Sequence, residues 1–304
     1  MDKQAYLILQ NGMTFAGTRL GAEGEIAGEV VFTTGMTGYL EALTDPSYHG
    51  QILVQTFPLI GNYGVIPEDF ESGAPQVRAY IVRECCQAPS NFRCEGTLAS
   101  YLKAQNVIGL CGVDTRALTR AIRENGVMNG IITDSKTLTP AQQALLDSYE
   151  VRGAVQAVTT PEVRRYEAEG AQKHRVALWD FGTKRSLIQA LRQRGCQVTV
   201  WPAGSTAVEI LADEPEGIVL SEGPGDPAAE PALTHQIAQL CQAKRPVLGV
   251  GLGHELLALS QGAKTYRLKH GHRGANQPVK DLATGRVRAT SQNHGYAVDS
   301  ESVQ

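Results

Sequence analysis

Residues 246–266 read PVLGVGLGHELLALSQGAKTY. The apolar run Val247–Val250 suits a buried strand, Gly251–Gly253 a sharp turn, and Glu255–Gln261 a helix that Gly262 can close. A strand, a tight turn and a helix in direct succession form an elbow, a device that presents a nucleophile at its tip. Here the tip is Gly251, which has no side chain to present. A dinucleotide fingerprint on Gly249, Gly251 and Gly253 fails, because position 254 is His254 and no acidic residue ends a strand about 20 residues on.

Upstream of the elbow the chain alternates. Val176–Phe181, Gln197–Trp201 and Gly217–Ser221 read as strands, and Lys184–Arg194, Thr206–Ala212 and Pro231–Ala243 as helices. That rhythm predicts a doubly wound, mostly parallel sheet with helices on both faces, whose ligands sit at the carboxyl ends of the strands. Two glycine-rich turns fall at such ends, GPGDP at 223–227 and GLGH at 251–254. Backbone N–H groups turned inward by such loops can hold an anion between them, although glycine and proline after a strand also make plain turns.

The first half has another texture. Ala5–Leu9, an Asn11-Gly12 turn, Thr14–Leu20 and Glu29–Thr33 read as strands in hairpins, and Asp114 caps a helix in DTRALTRAIRENG that Gly126 closes. This predicts an α+β domain over 1–150. Residues 151–173 lose periodicity and contain Pro161, which predicts a linker. Past Gly262 the pattern turns to strands and turns, so the second domain is expected over 174–304.

The chain has 304 residues, 42% hydrophobic and 19% charged, with a formal net charge of −3. Nothing in that balance provides a broad basic field for nucleic acid, and short runs such as Arg164-Arg165 read as solvated surface. No apolar run approaches the roughly 20 residues of a membrane span, and no leader pattern follows Met1, so a cytoplasmic protein is expected. The six cysteines show no CxxC spacing and are expected to be reduced and mostly buried.

Long ordered segments carry a family resemblance. TTGMTGYLEALTDPSYHGQILVQTFPLIGNYG (33–64), VRAYIVRECCQAPSNFR (77–93) and GVDTRALTRAIRENG (112–126) resemble the N-terminal domain of the small, glutamine-hydrolysing subunit of carbamoyl-phosphate synthetase. LSEGPGDP, PVLGVGLGHELLAL, GHRGANQPVKDL and SQNHGYAVD resemble a class I glutamine amidotransferase domain. The resemblance implies that glutamine's side-chain amide is cleaved through a cysteine thioester. Ammonia then passes by tunnel to a large subunit that combines it with bicarbonate and ATP. It implies no cofactor in this chain, with ATP and Mg2+ used by the large subunit. By the same resemblance Ser47, Gly223, Gly225, Leu252, Glu255, Asn293, Gly295 and Tyr296 are the glutamine-binding positions, although Asp45-Pro46-Ser47 is good turn chemistry in any protein.

Three departures follow from the same alignment of motifs. The family elbow carries cysteine where this chain has Gly251, so no thioester can form there. Glu255 stands where the family has glutamine; it removes the amide's donors and adds charge beside a bound glutamine, or it is simply an exposed acid in a helix's first turn. The family's base histidine and its partner glutamate are expected in a segment beyond Gln304, which predicts a domain incomplete at its C-terminus, with an exposed strand edge. The expected function is a carbamoyl-phosphate synthetase small subunit deficient in glutamine hydrolysis; the alternative is a binding and regulatory subunit supporting ammonia-dependent synthesis.

Overall fold

The computed structural model describes residues 3–303. It divides into two compact units: Met1–Val151 with Lys269–Asn293, and Arg152–Leu268 with His294–Gln304.

The first unit holds strands β1 (Gln4–Leu9), β2 (Thr14–Gly21), β3 (Ile26–Thr33), β4 (Gln51–Gln55), β5 (Leu59–Ile60), β6 (Ala79–Ile81), β7 (Glu84–Cys85), β8 (Ile108–Cys111) and β9 (Met128–Thr133). Its helices are α1 (Tyr39–Thr44), α2 (Leu98–Ala104), α3 (Thr115–Asn125) and α4 (Pro140–Ser148). Seven strands close into a barrel in the order β1-β2-β8-β6-β4-β3-β9, with β9 pairing back to β1. Alternation explains the closure. Leu7, Leu9, Val30, Phe32, Ile52 and Val54 join one core with Leu118 and Ile122 of α3, while Val31, Leu53 and Tyr80 pack from the other strand face with Leu40, Leu43, Leu98 and Leu102 of α1 and α2. The β1–β2 hairpin turns at Gly12, φ +85. The further hairpin expected at β3 does not form: β2 continues to β8, and β3 lies between parallel β4 and antiparallel β9. Barrel closure rewards distant partners that local turn signals cannot announce.

The second unit adds α5 (Ala154–Val158), β10 (Arg164–Tyr166), β11 (His174–Asp180), α6 (Arg185–Gln193), β12 (Cys196–Pro202), α7 (Ala207–Ala212), β13 (Gly217–Leu220), α8 (Pro231–Cys241), β14 (Val247–Gly249) and α9 (Leu252–Ser260). Its sheet runs β10-β12-β11-β13-β14, parallel except for β10. Both faces are covered. Ala177, Trp179, Ile218 and Leu220 pack with Ile210, Ile237 and Leu256 of α7, α8 and α9, whereas Leu178, Val198, Val200 and Val219 pack with Leu187, Ile188 and Leu191 of α6. β14 ends the sheet, with Leu248 57% exposed.

Two sequence expectations need correction. The segment 151–173 is not a bare linker: it forms α5, and it forms β10, whose Arg164 and Tyr166 pair with Val200 and Val198. Edge pairing through backbone bonds needs no apolar periodicity, so three residues of it left no signal. The final hairpin, β15 (Thr265–Lys280) with β16 (Val287–Val298), does not belong wholly to the second unit, because residues 269–293 group with the barrel. In the first unit Val127 N–H donates to Lys269 O at 2.8 Å, and Thr34 Oγ1 donates to Arg273 O at 3.3 Å.

Candidate functional site

β14 ends at Gly249 and α9 begins at Leu252, so Val250 and Gly251 make the whole reversal. Gly251 takes φ 53 and ψ −118, a backbone that a residue with a Cβ adopts only under strain. Backbone bonds fix the turn: Val250 N–H donates to Leu220 O at 3.0 Å, Gly253 N–H to Ser221 O at 2.9 Å, and Glu255 N–H to Gly251 O at 3.1 Å. The flanking glycines are dictated by space. A Cβ on Gly249 would lie 2.6 Å from His254 Cα, and one on Gly253 2.3 Å from Leu220 O. Gly251 is different, because a Cβ there would meet only Glu222, with Cβ at 3.3 Å. Unlike its neighbours, the tip has space for a Cβ, although its backbone disfavours one.

The GPGDP turn after β13 lies against this tip. A Cβ on Gly223 would fall 2.3 Å from Phe181 O and 2.9 Å from Leu252 Cδ2, which requires glycine by close approach. Gly225 takes φ +96, a conformation that favours glycine. The first N–H groups of α9, that of Leu252 included, have no acceptor within their own helix, and the helix dipole favours negative charge at that end. Gly223, Gly251 and Leu252 are therefore brought together where two adjacent parallel strands end, with Gly225 two residues further along the same turn, and backbone N–H groups at such a place can stabilise a developing oxyanion.

Glu222 is the residue that sequence reasoning missed. It is buried, its carboxylate accepts from Lys184 N–H at 3.1 Å and lies 3.9 Å from the Lys184 ammonium, and its Cβ borders the elbow tip. The loop after β11 is fixed alongside, since Asp180 Oδ1 accepts from Gly182 and Thr183 N–H at 2.8 and 2.7 Å. The one signal available was Glu222's place immediately before a glycine turn.

Glu255 corrects the reading of an exposed first-turn acid. It is only 6% exposed, and burial, with the charge of Asp226 adding to it, pushes its carboxyl up to about 7. Helical position predicted the dipole's favour; it could not predict that the side chain would be buried near Asp226 of the GPGDP turn.

The first unit assembles a second group of predicted residues. Asp45 accepts from Ser47 N–H through Oδ1 at 2.9 Å and from Asn293 Nδ2 through Oδ2 at 3.0 Å. Asn293 Oδ1 in turn accepts from Nε of the buried Arg273 at 3.1 Å. Ser47 and Asn293, 246 positions apart in the chain, thus share one carboxylate, and Asp45 and Arg273 are the residues that link them. Gly295 and Tyr296 lie on the β16 segment of the second unit, where His294 Nδ1 is 2.6 Å from Tyr296 O.

Burial works against activation of Cys241 and Cys85. Cys241 closes α8, and burial raises its thiol; Cys85 is pushed up to about 11 by burial, with Cys111 and Cys86 adding to it. All six cysteines are free, and only Cys196 is fully buried, so the expectation of mostly buried thiols is replaced by partial burial. Among the described residues no group of three or more His, Cys, Asp or Glu side chains is arranged to hold a metal ion, and no helix is long and apolar enough to cross a membrane.

A family model described as "Carbamoyl-phosphate synthase small chain, CPSase domain" matches residues 7–132, and one described as "Glutamine amidotransferase class-I" matches residues 177–304. A "Carbamoyl phosphate synthase small chain" from Clostridium perfringens is 51% identical over 296 residues, covering 97% of this chain and 83% of the relative. The chain belongs to the carbamoyl-phosphate synthase small-chain family. Small chains from Listeria innocua and Bacillus cereus are similar at 48% and 49% identity, each covering 98% of this chain and 81% and 80% of the relative. As a small chain, it joins a barrel unit to a class I glutamine amidotransferase domain, and the elbow between β14 and α9 belongs to that amidotransferase part.

Proposed function

We propose that this chain is a carbamoyl-phosphate synthase small subunit that does not hydrolyse glutamine, and that it supports synthesis from free ammonia by a large-subunit partner. The observation behind this reading is the elbow tip, which keeps the φ 53, ψ −118 turn of a nucleophile position but consists of Gly251. Acyl transfer through a thioester needs a thiolate about 3 Å from the amide carbon. Loss of the nucleophile from such a unit costs on the order of 10⁶ in rate, or about 8 kcal/mol. Oxyanion stabilisation by the N–H groups of Gly223, Gly225 and Leu252 cannot replace it.

Binding is weakened too. In the proposed assignment the GPGDP turn and Glu255 of the second unit serve glutamine's amide end, and Gly295 and Tyr296 belong to the covering loop. A carboxylate at 255 withdraws two N–H donors from that pocket and, ionised, adds charge within it. ATP and Mg2+ belong to the large subunit's chemistry, this chain supplies no cofactor, and the complex works in the cytoplasm.

The test is reconstitution with a large subunit. Carbamoyl phosphate formed with ATP and bicarbonate should appear with ammonium and stay at background with glutamine. Glutamine-driven synthesis, or a covalent glutamyl adduct on this polypeptide in a mass spectrum, would refute the proposal.

A further inference from the structure

Helix α3 in the barrel unit divides its residues sharply between two sides. Leu118, Ala121 and Ile122 are buried, whereas Arg116, Arg120 and Arg123 recur at a spacing of four and then three on the exposed side. Like charges at i,i+3 and i,i+4 repel, and one carboxylate, Glu124 at i+4 from Arg120, faces three arginines along this helix. Arg83, from the stretch between β6 and β7, and Lys269, on β15, face the same cleft, which encloses about 730 Å3. Its lining includes one carboxylate, Glu124, which lies 3.7 Å from Arg120. Among the described residues Arg83, Arg116, Arg123 and Lys269 make no salt bridge.

We propose that this cleft binds a compact, phosphate-bearing polyanion. The volume falls within the range for small ligands, roughly 300–1,000 Å3, and the concavity favours such a molecule over a flat acidic protein face. Guanidinium forks match phosphate oxygens two at a time. Four cations without salt-bridge partners call for at least two negative charges, more than an amino-acid carboxylate carries. The cleft lies wholly within the barrel unit and involves neither Gly251 nor the GPGDP turn, so it stands independently of the glutamine site.

Inorganic pyrophosphate is the probe. Titration calorimetry on the full chain at low ionic strength should show saturable 1:1 binding, weakening as salt rises. Arg116→Ala combined with Arg123→Ala should weaken it at least tenfold, while Arg288→Ala, an exposed arginine outside the cleft, should leave it unchanged. Circular dichroism and thermal unfolding check that the double variant folds; should it not, Lys269→Met with Arg83→Ala serves, since neither lies on α3. Absence of saturable binding at millimolar pyrophosphate, or equal affinity in the double variant, overturns the proposal. So does a double variant that loses affinity for a large subunit while the parent ignores pyrophosphate, which would make the surface a protein-docking face.

Discussion

Replacing Glu255 by glutamine tests whether the amidotransferase site holds a buried, reluctant carboxylate. In the folded chain the side chain is 6% exposed, and burial, then Asp226, lifts its carboxyl from an ordinary 4.5 to about 7. Between those two pH values the folded state keeps a proton that the unfolded chain has released. The contribution is therefore fully present below about pH 4.5 and is lost as pH rises through about 7. At about 1.4 kcal/mol for each tenfold change, the loss amounts to about 3 kcal/mol. Glutamine does not titrate, so Glu255→Gln should gain about 3 kcal/mol on the parent between pH 5 and pH 8. Urea unfolding of both proteins at several pH values gives the difference directly. Parallel stability profiles would refute the reasoning, because they would mean that Glu255 ionises in the folded chain as freely as in water.

Gly251→Cys should fold but lose about 1–3 kcal/mol, from a side chain at φ 53 and a Cβ 3.3 Å from that of Glu222; denaturant midpoints equal to the parent's would show that the tip is unstrained. Gly223→Ala should cost about 3 kcal/mol or more, because the added carbon meets Phe181 O at 2.3 Å, whereas Gly225→Ala, at φ +96 with Ala154 Cβ 3.7 Å away, should cost only about 1–2 kcal/mol; the same titrations rank them, and the reverse order would contradict the packing described. Asp45→Ala and Asn293→Ala should couple by about 0.5 kcal/mol or more in a double-mutant cycle, since their shared hydrogen bond is 3.0 Å long, and strict additivity would deny it.

Much of the second unit was legible because its signals are local. Thr206, for instance, caps α7 with Glu209 in a capping box, so the start of that helix could be read from four residues. The elbow was legible for the same reason, and its geometry shows why Gly249 and Gly253 are glycine: each lies against backbone that leaves no space for a Cβ. What escaped was whatever depends on distant partners. β10 joins the sheet through an edge pairing of three residues, Asp45 gains its meaning from Asn293 across the chain, and Glu255 is buried only once the turn after β13 comes to rest near it. A charged helix side such as that of α3 reads as solvated surface until the fold places Arg83 and Lys269 opposite it.

The interleaving of the two units constrains how the polypeptide can be made and cut. The barrel unit claims residues 269–293, so the bond from Asn293 to Asp45 and the acceptor for Val127 N–H come from chain synthesised after most of its neighbour. Completion of the first unit during translation therefore waits for residues made well after Val151, leaving Asp45 without Asn293 and Val127 N–H without its acceptor until then. A fragment ending at Val151 would carry the seven barrel strands yet keep both of those vacancies permanently, whereas a version with 269–293 grafted on would fill them.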